Sequence, residues 1–320
     1  MLLTADLTGI QLDWVNGVLG ADVSDKALPF MADRDKLGNG NIGSWRAHLN
    51  AMVTIIEQNL TSALIMEDDI DWDVRIKSQM YDFARSSQAL LQPLSSNPSA
   101  YADPTFPSPS DTTATQENLY FDRLPSTVPP SVSPYGDGWD VLWVGHCNDG
   151  FFWGNPYPNS QHKPKGQVLH LNDRTVPENH YININRDDPR STYPDHTRVV
   201  QHMMGGVCTF AYAVSHAGAR AILYEMTQNF DRAFDNMLAD FCDGIHGREY
   251  HLCLSILPQL FVVHRAAGKV SGDSDINNIA EGEVREEGWS PMLRWSARKN
   301  VKKLLRGETD FVDQFPDGSE

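Results

Sequence analysis

One short segment of the chain places four apolar residues directly before a run of carboxylates. The apolar residues are 63–66, and the carboxylates are Glu67, Asp68, Asp69 and Asp71. A short, unbroken apolar run is typical of a strand that is buried on both faces, as in a parallel sheet. Ligand sites in such sheets lie at the carboxyl ends of strands, so we expect this acidic turn to lie at a site. Adjacent carboxylates repel one another, and a hard divalent cation such as Mn²⁺ or Mg²⁺ is the usual remedy.

The composition excludes one broad class of function. The chain has 320 residues, of which 41% are hydrophobic and 10% aromatic, enough for one large domain or two small ones. The formal net charge is −16, and the pI is about 5.0. A nucleic-acid-binding surface needs a basic patch, so we expect no nucleic-acid partner.

The four cysteines are Cys147, Cys208, Cys242 and Cys253, and they form no Cys-x-x-Cys pair. We therefore expect no structural zinc site. Their number allows two disulfides, but the spacing does not specify a pairing. Cys208 and Cys253 lie in apolar runs, where we expect buried thiols. No apolar run approaches the ~20 residues of a membrane helix, and no signal peptide is visible.

Hydrophobic periodicity predicts helices and strands in alternation, which indicates an α/β fold with a mostly parallel sheet. A turn is expected at 38–43, before a helix with an apolar stripe. The stripe consists of Trp45, Leu49, Met52 and Ile56. Further strands are predicted at 139–145, 207–214 and 250–263, and further helices at 74–91, after Ser215 and at 234–241.

Composition divides the chain into four parts. Residues 93–138 are rich in Pro, Ser and Thr, and we expect an exposed, partly disordered insertion there. It separates residues 1–92, which carry the acidic turn, from residues 139–280, which belong to the same domain. Within that second part, residues 151–200 are expected to form irregular loops. Residues 281–320 are a tail with a basic helix.

Three further residues are candidates for the chemistry at the acidic turn. Asp149 follows a second predicted strand and could face the same crevice. Asp235 lies on a predicted short helix and could act as a general base. His48 precedes the apolar Leu49. Two roles stay open for it, that of a structural histidine in the core and that of a contact to a ligand. The alternative interpretation of the acidic turn is a charged loop at the end of a strand that binds no ligand.

Four motifs occur in order along the chain, at residues 40–48, 63–70, 209–219 and 274–276. Together they resemble glycosyltransferase family 25, which includes lipopolysaccharide galactosyltransferases and collagen galactosyltransferases. The family pattern in the first motif is Gly-x-x-Gly-Cys-x-x-Ser-His, and the second is an apolar strand ending in Glu-Asp-Asp. The long Pro/Ser-rich insertion is most similar to fungal members.

The resemblance implies a GT-A-like, Rossmann-like fold, a UDP-sugar donor with galactose favoured, and Mn²⁺ or Mg²⁺. It implies that Glu67 and Asp69 hold the metal. Inverting transfer would need a carboxylate base, for which Asp235 is the first candidate and Asp149 the second. The residues to which donor binding is assigned are Asn41, Gly43, Ser44, His48 and Asp68. The family also implies a glycan or glycoprotein acceptor and the secretory pathway or Golgi.

The chain departs from the family pattern in several places. Ser44 stands for the Cys of the first motif and Ala47 for its Ser, while His48 is kept. The family's first strand, which helps to hold the nucleotide, is expected to be absent, as is a membrane anchor. Two alternatives therefore stay open: a non-catalytic glycan-binding relative with an incomplete donor site, and a metal-dependent phosphohydrolase built on the acidic turn.

Overall fold

The computed structural model describes residues 1–107, 117–147, 163–182, 193–269 and 284–318. The helices in these ranges are α1 (Leu2–Thr8), α2 (Arg34–Glu57), α3 (Ile76–Leu91), α4 (His216–Gln228), α5 (Phe234–Asp243) and α6 (Val301–Leu305). The strands are β1 (Ser62–Met66), β2 (Ile70–Trp72), β3 (Pro93–Leu94), β4 (Asn97–Tyr101), β5 (Glu117–Tyr120), β6 (Val141–Gly145), β7 (Gly166–His170), β8 (Arg198–His202), β9 (Ala211–Ser215), β10 (Cys253–Leu257), β11 (Phe261–Val263), β12 (Gly268–Lys269) and β13 (Val284–Arg285).

Seven of these strands form one sheet in the order β1-β9-β6-β10-β8-β7-β5. The α/β architecture agrees with the expectation, but a mostly parallel sheet does not. Only β6 with β10 and β5 with β7 pair in parallel, and the other four pairings are antiparallel. An apolar run reports burial on both faces and carries no information about strand direction, which explains the error.

Helices cover both faces of the sheet, so every residue of the central strands β6, β8 and β10 is buried, including polar ones such as Gln201 and Ser255. In β6, Val141 and Trp143 pack into one core with α2, α4 and α5, whereas Leu142 and Val144 pack into another with α3. β1 lies at an edge of the sheet, and its side chains are only partly buried. Ser215 caps α4 as expected, since its hydroxyl accepts a hydrogen bond from the Gly218 N–H at 2.9 Å.

The glycine cluster before the apolar stripe lies inside α2 and does not form the expected turn. The helix begins earlier because the Asp33 carboxylate caps it. Only Gly38 leaves the helical conformation, with φ of 72°. Gly43 is buried in the helix, and a Cβ there would lie 2.4 Å from the Val18 carbonyl oxygen. The glycine therefore allows a loop to pack directly on the helix backbone.

The Pro/Ser/Thr-rich segment 93–138 is not a disordered insertion in the parts that the structure describes. It supplies a short hairpin, β3 with β4, and the strand β5 at the sheet edge. The buried Asp103 carboxylate accepts hydrogen bonds from the Thr105 N–H at 2.8 Å and the Gly166 N–H at 2.9 Å. Hydrogen bonds to a buried carboxylate thus order a region that has few large aliphatic residues. Similarly, β7 lies within the stretch 151–200, which was expected to be irregular, and β8 begins there.

All four cysteines are paired. Cys147 is bonded to Cys208, and Cys242 is bonded to Cys253. The prediction of buried thiols at Cys208 and Cys253 is therefore wrong. An apolar neighbourhood suits a disulfide as well as a thiol, so local hydrophobicity does not distinguish the two.

Asp71, the last carboxylate of the acidic run, is fully buried and joins β2 to the C-terminal part of the chain. Its side chain accepts hydrogen bonds from the Ser290 hydroxyl at 2.5 Å, from the Ser296 hydroxyl and from the backbone N–H groups of Trp72 at 2.9 Å and Arg298 at 3.1 Å. This carboxylate is saturated with donors and has a structural role.

The basic helix expected in the tail is the short α6, with Lys302 and Lys303 in its last turn. None of the helices within the described ranges has the length and apolar character that crossing a membrane requires.

We predict that Asp71→Ala lowers the free energy of unfolding by about 3 kcal/mol or more, since it leaves several buried donors unsatisfied at roughly 1–3 kcal/mol each. Urea denaturation checks this value, with the exposed Asp13→Asn as a control expected to match the wild type. A loss below about 1 kcal/mol would contradict the structural role of Asp71.

Candidate functional site

The acidic turn meets the loop before β9 because β1 and β9 are antiparallel. The carboxyl end of β1 therefore lies beside the beginning of β9, and the Glu67 N–H donates to the Phe210 carbonyl oxygen at 3.0 Å. The next residue back along that loop, Thr209, donates its hydroxyl to the Glu67 Oε1 at 2.8 Å. Strand register thus places a carboxylate and a hydroxyl from distant parts of the chain in contact.

A chain of hydrogen bonds runs from Tyr212 through His48 and Thr209 to Glu67. The Tyr212 hydroxyl lies 2.7 Å from His48 Nδ1, and the Thr209 hydroxyl lies 3.3 Å from His48 Nε2. Since Thr209 donates its only proton to Glu67, we assign the His48 tautomer that carries hydrogen on Nε2. Burial lowers the pKa of His48 to about 4, so the ring is neutral at pH 7. Every member of the chain then has a matching donor or acceptor.

Helix α5 supplies the second carboxylate of the site. The ring of Phe234 stacks on His48, with centroids 4.4 Å apart and planes 5° apart. The next residue, Asp235, accepts hydrogen bonds from the Cys208 N–H at 2.9 Å and the Asn236 N–H at 2.8 Å. Two backbone donors therefore fix the orientation of this partly buried carboxylate.

The site concentrates negative charge in a poorly solvated place. Burial raises the pKa of the Glu67 carboxyl to about 7, the Thr209 hydrogen bond opposes the rise, and the charges of Asp69, Asp235 and Asp68 add to it. Burial, and after it the charge of Asp68, also raises the pKa of Asp69. One oxygen of Asp69, Oδ1, is buried without a hydrogen-bond partner. Such an orphaned carboxylate oxygen is a candidate ligand for a cation.

Arg298 holds the acidic turn from the C-terminal side. Its guanidinium donates to the Ile70 carbonyl oxygen at 2.9 Å and to the Asp68 carbonyl oxygen at 3.0 Å. Its charge, like that of Arg265, also lowers the pKa of Asp69. The sequence assigned Arg298 only to a basic tail. Its position shows that the tail contributes to the geometry of the turn.

Several predicted donor-binding residues lie along one face of α2. Asn41 donates to the Leu37 carbonyl oxygen at 2.7 Å, and its own Oδ1 is buried without a partner. Ser44 and His48 follow at helical spacing and are partly buried. Gly43 is explained by the packing of the loop on the helix and needs no ligand.

The remaining predicted residues are not brought into this group. Asp68 is exposed and takes no part in the chain of hydrogen bonds from Tyr212 to Glu67. Asp149 lies outside the described residues, as does the fourth motif at 274–276. Thr209, Tyr212 and Cys208 were not predicted as site residues from the sequence, although Thr209 and Tyr212 lie within the third motif.

The described parts of the chain hold no group of three or more His, Cys, Asp or Glu side chains arranged for a metal ion. A cation at the acidic turn would have two protein carboxylates, Glu67 and Asp69, and would complete its shell with water or substrate oxygens. Mg²⁺ commonly binds in this way, with one or two carboxylates and the phosphates of a substrate.

Comparisons with known proteins leave the family open. The chain matches no model of a known protein family, and no curated protein is significantly similar to it.

We predict that Glu67→Gln stabilises the protein at pH 8, by between about 1 and 3 kcal/mol after allowance for partial solvent access. An unfolded glutamate titrates near pH 4.3, whereas folded Glu67 keeps its proton up to about pH 7. The stability of the wild type should therefore fall as the pH rises through this window, because the folded state must bury an ionised carboxylate. The variant lacks this loss and can still accept the Thr209 hydrogen bond.

Urea denaturation at pH 5, 6.5 and 8 in the presence of a chelator measures this difference. The advantage of Glu67→Gln over the wild type should grow with pH and level off above pH 7. Glu57→Gln, at an exposed position on α2, is the matched control for the change of side chain. A pH-independent difference for Glu67→Gln would mean that Glu67 titrates like a solvated glutamate.

Proposed function

We propose that this protein is a metal-dependent glycosyltransferase of family 25 that moves a hexose, with galactose favoured, from a UDP-sugar to a glycan or protein acceptor with inversion. The observation that carries the proposal is that Glu67 and Asp235 accept hydrogen bonds from the adjacent residues Thr209 and Cys208, with Asp69 on the same turn as Glu67. The mixed α/β sheet with helices on both faces is compatible with a Rossmann-like fold, the class to which the proposed GT-A-like fold belongs.

The residues at the acidic turn fit a divalent cation. Glu67 and Asp69 would hold Mn²⁺ or Mg²⁺. The Asp69 Oδ1 is buried without a hydrogen-bond donor, and a bound cation would compensate for that. When bound, such an ion would neutralise the departing diphosphate and act as a Lewis acid. The neutral His48 and the Thr209 hydroxyl keep Glu67 in place through the hydrogen-bond chain.

Asp235 is our candidate for the general base. In inverting transfer, the acceptor hydroxyl attacks the anomeric carbon and loses its proton to a carboxylate as the new C–O bond forms. Asp235 is oriented by the N–H groups of Cys208 and Asn236, and its charge contributes to the raised pKa of Glu67. Asp149 remains the second candidate.

A second candidate function is glycan binding without transfer. β1 forms an edge of the seven-stranded sheet, and within the described residues no strand pairs with its outer side. An incomplete donor site of this kind would favour a non-catalytic relative. The phosphohydrolase alternative has no comparable observation in its favour.

We also propose an oxidising compartment, such as the secretory pathway. Its support is the pairing of all four cysteines, because disulfides persist in such compartments and are rare in the cytosol.

We predict that the wild type binds UDP only when Mn²⁺ is present, and that Asp69→Asn weakens this binding by at least about tenfold. Calorimetric titration of UDP with and without Mn²⁺ measures both effects. Asp13→Asn, which changes an exposed carboxylate of the same type, should bind like the wild type. Unchanged UDP affinity in Asp69→Asn would refute the metal site. Release of phosphate from an aryl phosphate that needs Asp68 would instead favour the metal-dependent phosphohydrolase.

We predict that Asp235→Asn lowers the rate of UDP release from UDP-galactose by about 10²–10⁴-fold, while UDP binding with Mn²⁺ stays within about threefold of the wild type. The amide can still accept the Cys208 N–H but cannot take up a proton. Turnover with water as the acceptor, measured by coupled detection of UDP, tests this separation. Equal losses in binding and turnover would assign Asp235 to donor binding.

A further inference from the structure

Cys208 connects to the site through its backbone and to the rest of the fold through its side chain. Its N–H donates to the Asp235 Oδ2 at 2.9 Å, and its carbonyl oxygen accepts from the Trp143 indole N–H at 2.9 Å. Its sulfur is bonded to Cys147, which follows the end of β6. One residue thus ties a candidate base, a buried tryptophan and a second strand together.

The backbone of Cys208 lies in the left-handed region, with φ of 63°. A side chain with a Cβ is disfavoured there, and such a conformation persists only where the surroundings hold it. Besides the hydrogen bonds to Asp235 and Trp143, two contacts with Cys147 hold this one: the disulfide itself, and the hydrogen bond from the Cys147 N–H to the Val207 carbonyl oxygen at 2.9 Å.

The conformation of Cys208 determines where two hydrogen-bond donors point. The Cys208 N–H reaches Asp235, and the hydroxyl of the next residue, Thr209, reaches Glu67 at 2.8 Å and His48 at 3.3 Å. A rotation of the backbone at Cys208 toward ordinary φ values would redirect both donors together. Glu67 and Asp235 are therefore both oriented by one short loop.

We propose that the Cys147–Cys208 disulfide is a positioning bond of the site, which locks this loop so that Cys208 and Thr209 orient Asp235 and Glu67 at the same time. The proposal builds on the proposed function, because it assigns these carboxylates to donor binding and proton transfer. Cys208 is a positioning residue and does not contact substrate in this assignment.

The second disulfide provides a matched control. Cys242 and Cys253 join α5 to β10, and within the described ranges neither residue hydrogen-bonds to Glu67, Thr209 or Asp235. Loss of this bond should lower stability without redirecting the donors of the site.

The test compares Cys147→Ser with Cys253→Ser, each of which breaks one disulfide. Two quantities are measured on each folded variant: the Kd for UDP with Mn²⁺, and the indole ¹H–¹⁵N signal of Trp143, assigned with Trp143→Phe. We expect Cys147→Ser to shift the indole signal and to weaken UDP binding by about tenfold or more. Cys253→Ser should lower Tm and leave both quantities at their wild-type values.

A rescue variant separates positioning from general destabilisation. Glycine adopts positive φ without strain, so Cys147→Ser combined with Cys208→Gly should fold and recover UDP affinity to within about threefold of the wild type. If Cys147→Ser does not fold, this double variant carries the test, and a folded double variant without UDP binding overturns the proposal.

The proposal would also be overturned if Cys147→Ser kept the wild-type Kd for UDP and the wild-type indole signal. Alkylation of Cys208 in the unfolded, unreduced wild type would overturn it too, because it would show a free thiol at this position. The indole signal needs no ligand. If the wild type does not bind UDP, the proposed function fails, whereas the response of Trp143 still decides whether the disulfide positions the loop.

Discussion

The antiparallel pairing of β1 with β9 is the constraint on which the candidate site depends. It brings the end of β1, where the carboxylates begin, to the start of β9, which follows the hydrogen-bond donors of Cys208 and Thr209. Had the two strands been parallel, as the apolar pattern suggested, Glu67 would lie beside the far end of β9, and Thr209 would be a strand length away. The electrostatic character of the site is thus a consequence of chain direction.

Chemically similar residues in the acidic run have different roles because their surroundings differ. Asp71 is fully enclosed and accepts hydrogen bonds from two hydroxyl and two backbone N–H groups, whereas Asp69 has a buried oxygen with no partner at all. Glu67 lies between these extremes, with one hydroxyl donor and a raised pKa. Satisfied carboxylates stabilise a fold, and unsatisfied ones are available to a ligand.

Much of the architecture could be predicted from local pattern, and much of the site could not. Unbroken apolar runs predicted β1 and β6, although β1 is an edge strand that is only partly buried, and the apolar spacing around Trp45 predicted the body of α2. β7 and β8 lie in a polar stretch and were missed, and strand direction has no local signal. The glycines before Trp45 suggested a turn, but close packing at Gly43 explains one of them better.

The same limit applies to the site. Glu67, His48 and Asp235 were each identified as single residues, but their connection passes through Thr209 and Cys208, whose importance follows from strand register and a disulfide. Register and cross-links are properties of the whole fold, so a window along the sequence does not contain them.

The attachment of Asp71 to the C-terminal segment has a consequence for synthesis of the chain. Its hydrogen bonds to Ser290, Ser296 and Arg298 close sequence separations of 219, 225 and 227 residues. A ribosome releases the acidic turn long before it releases those partners. The turn therefore lacks its anchor until at least 219 further residues have been synthesised, and a nascent chain that stops before Ser290 does not gain this support.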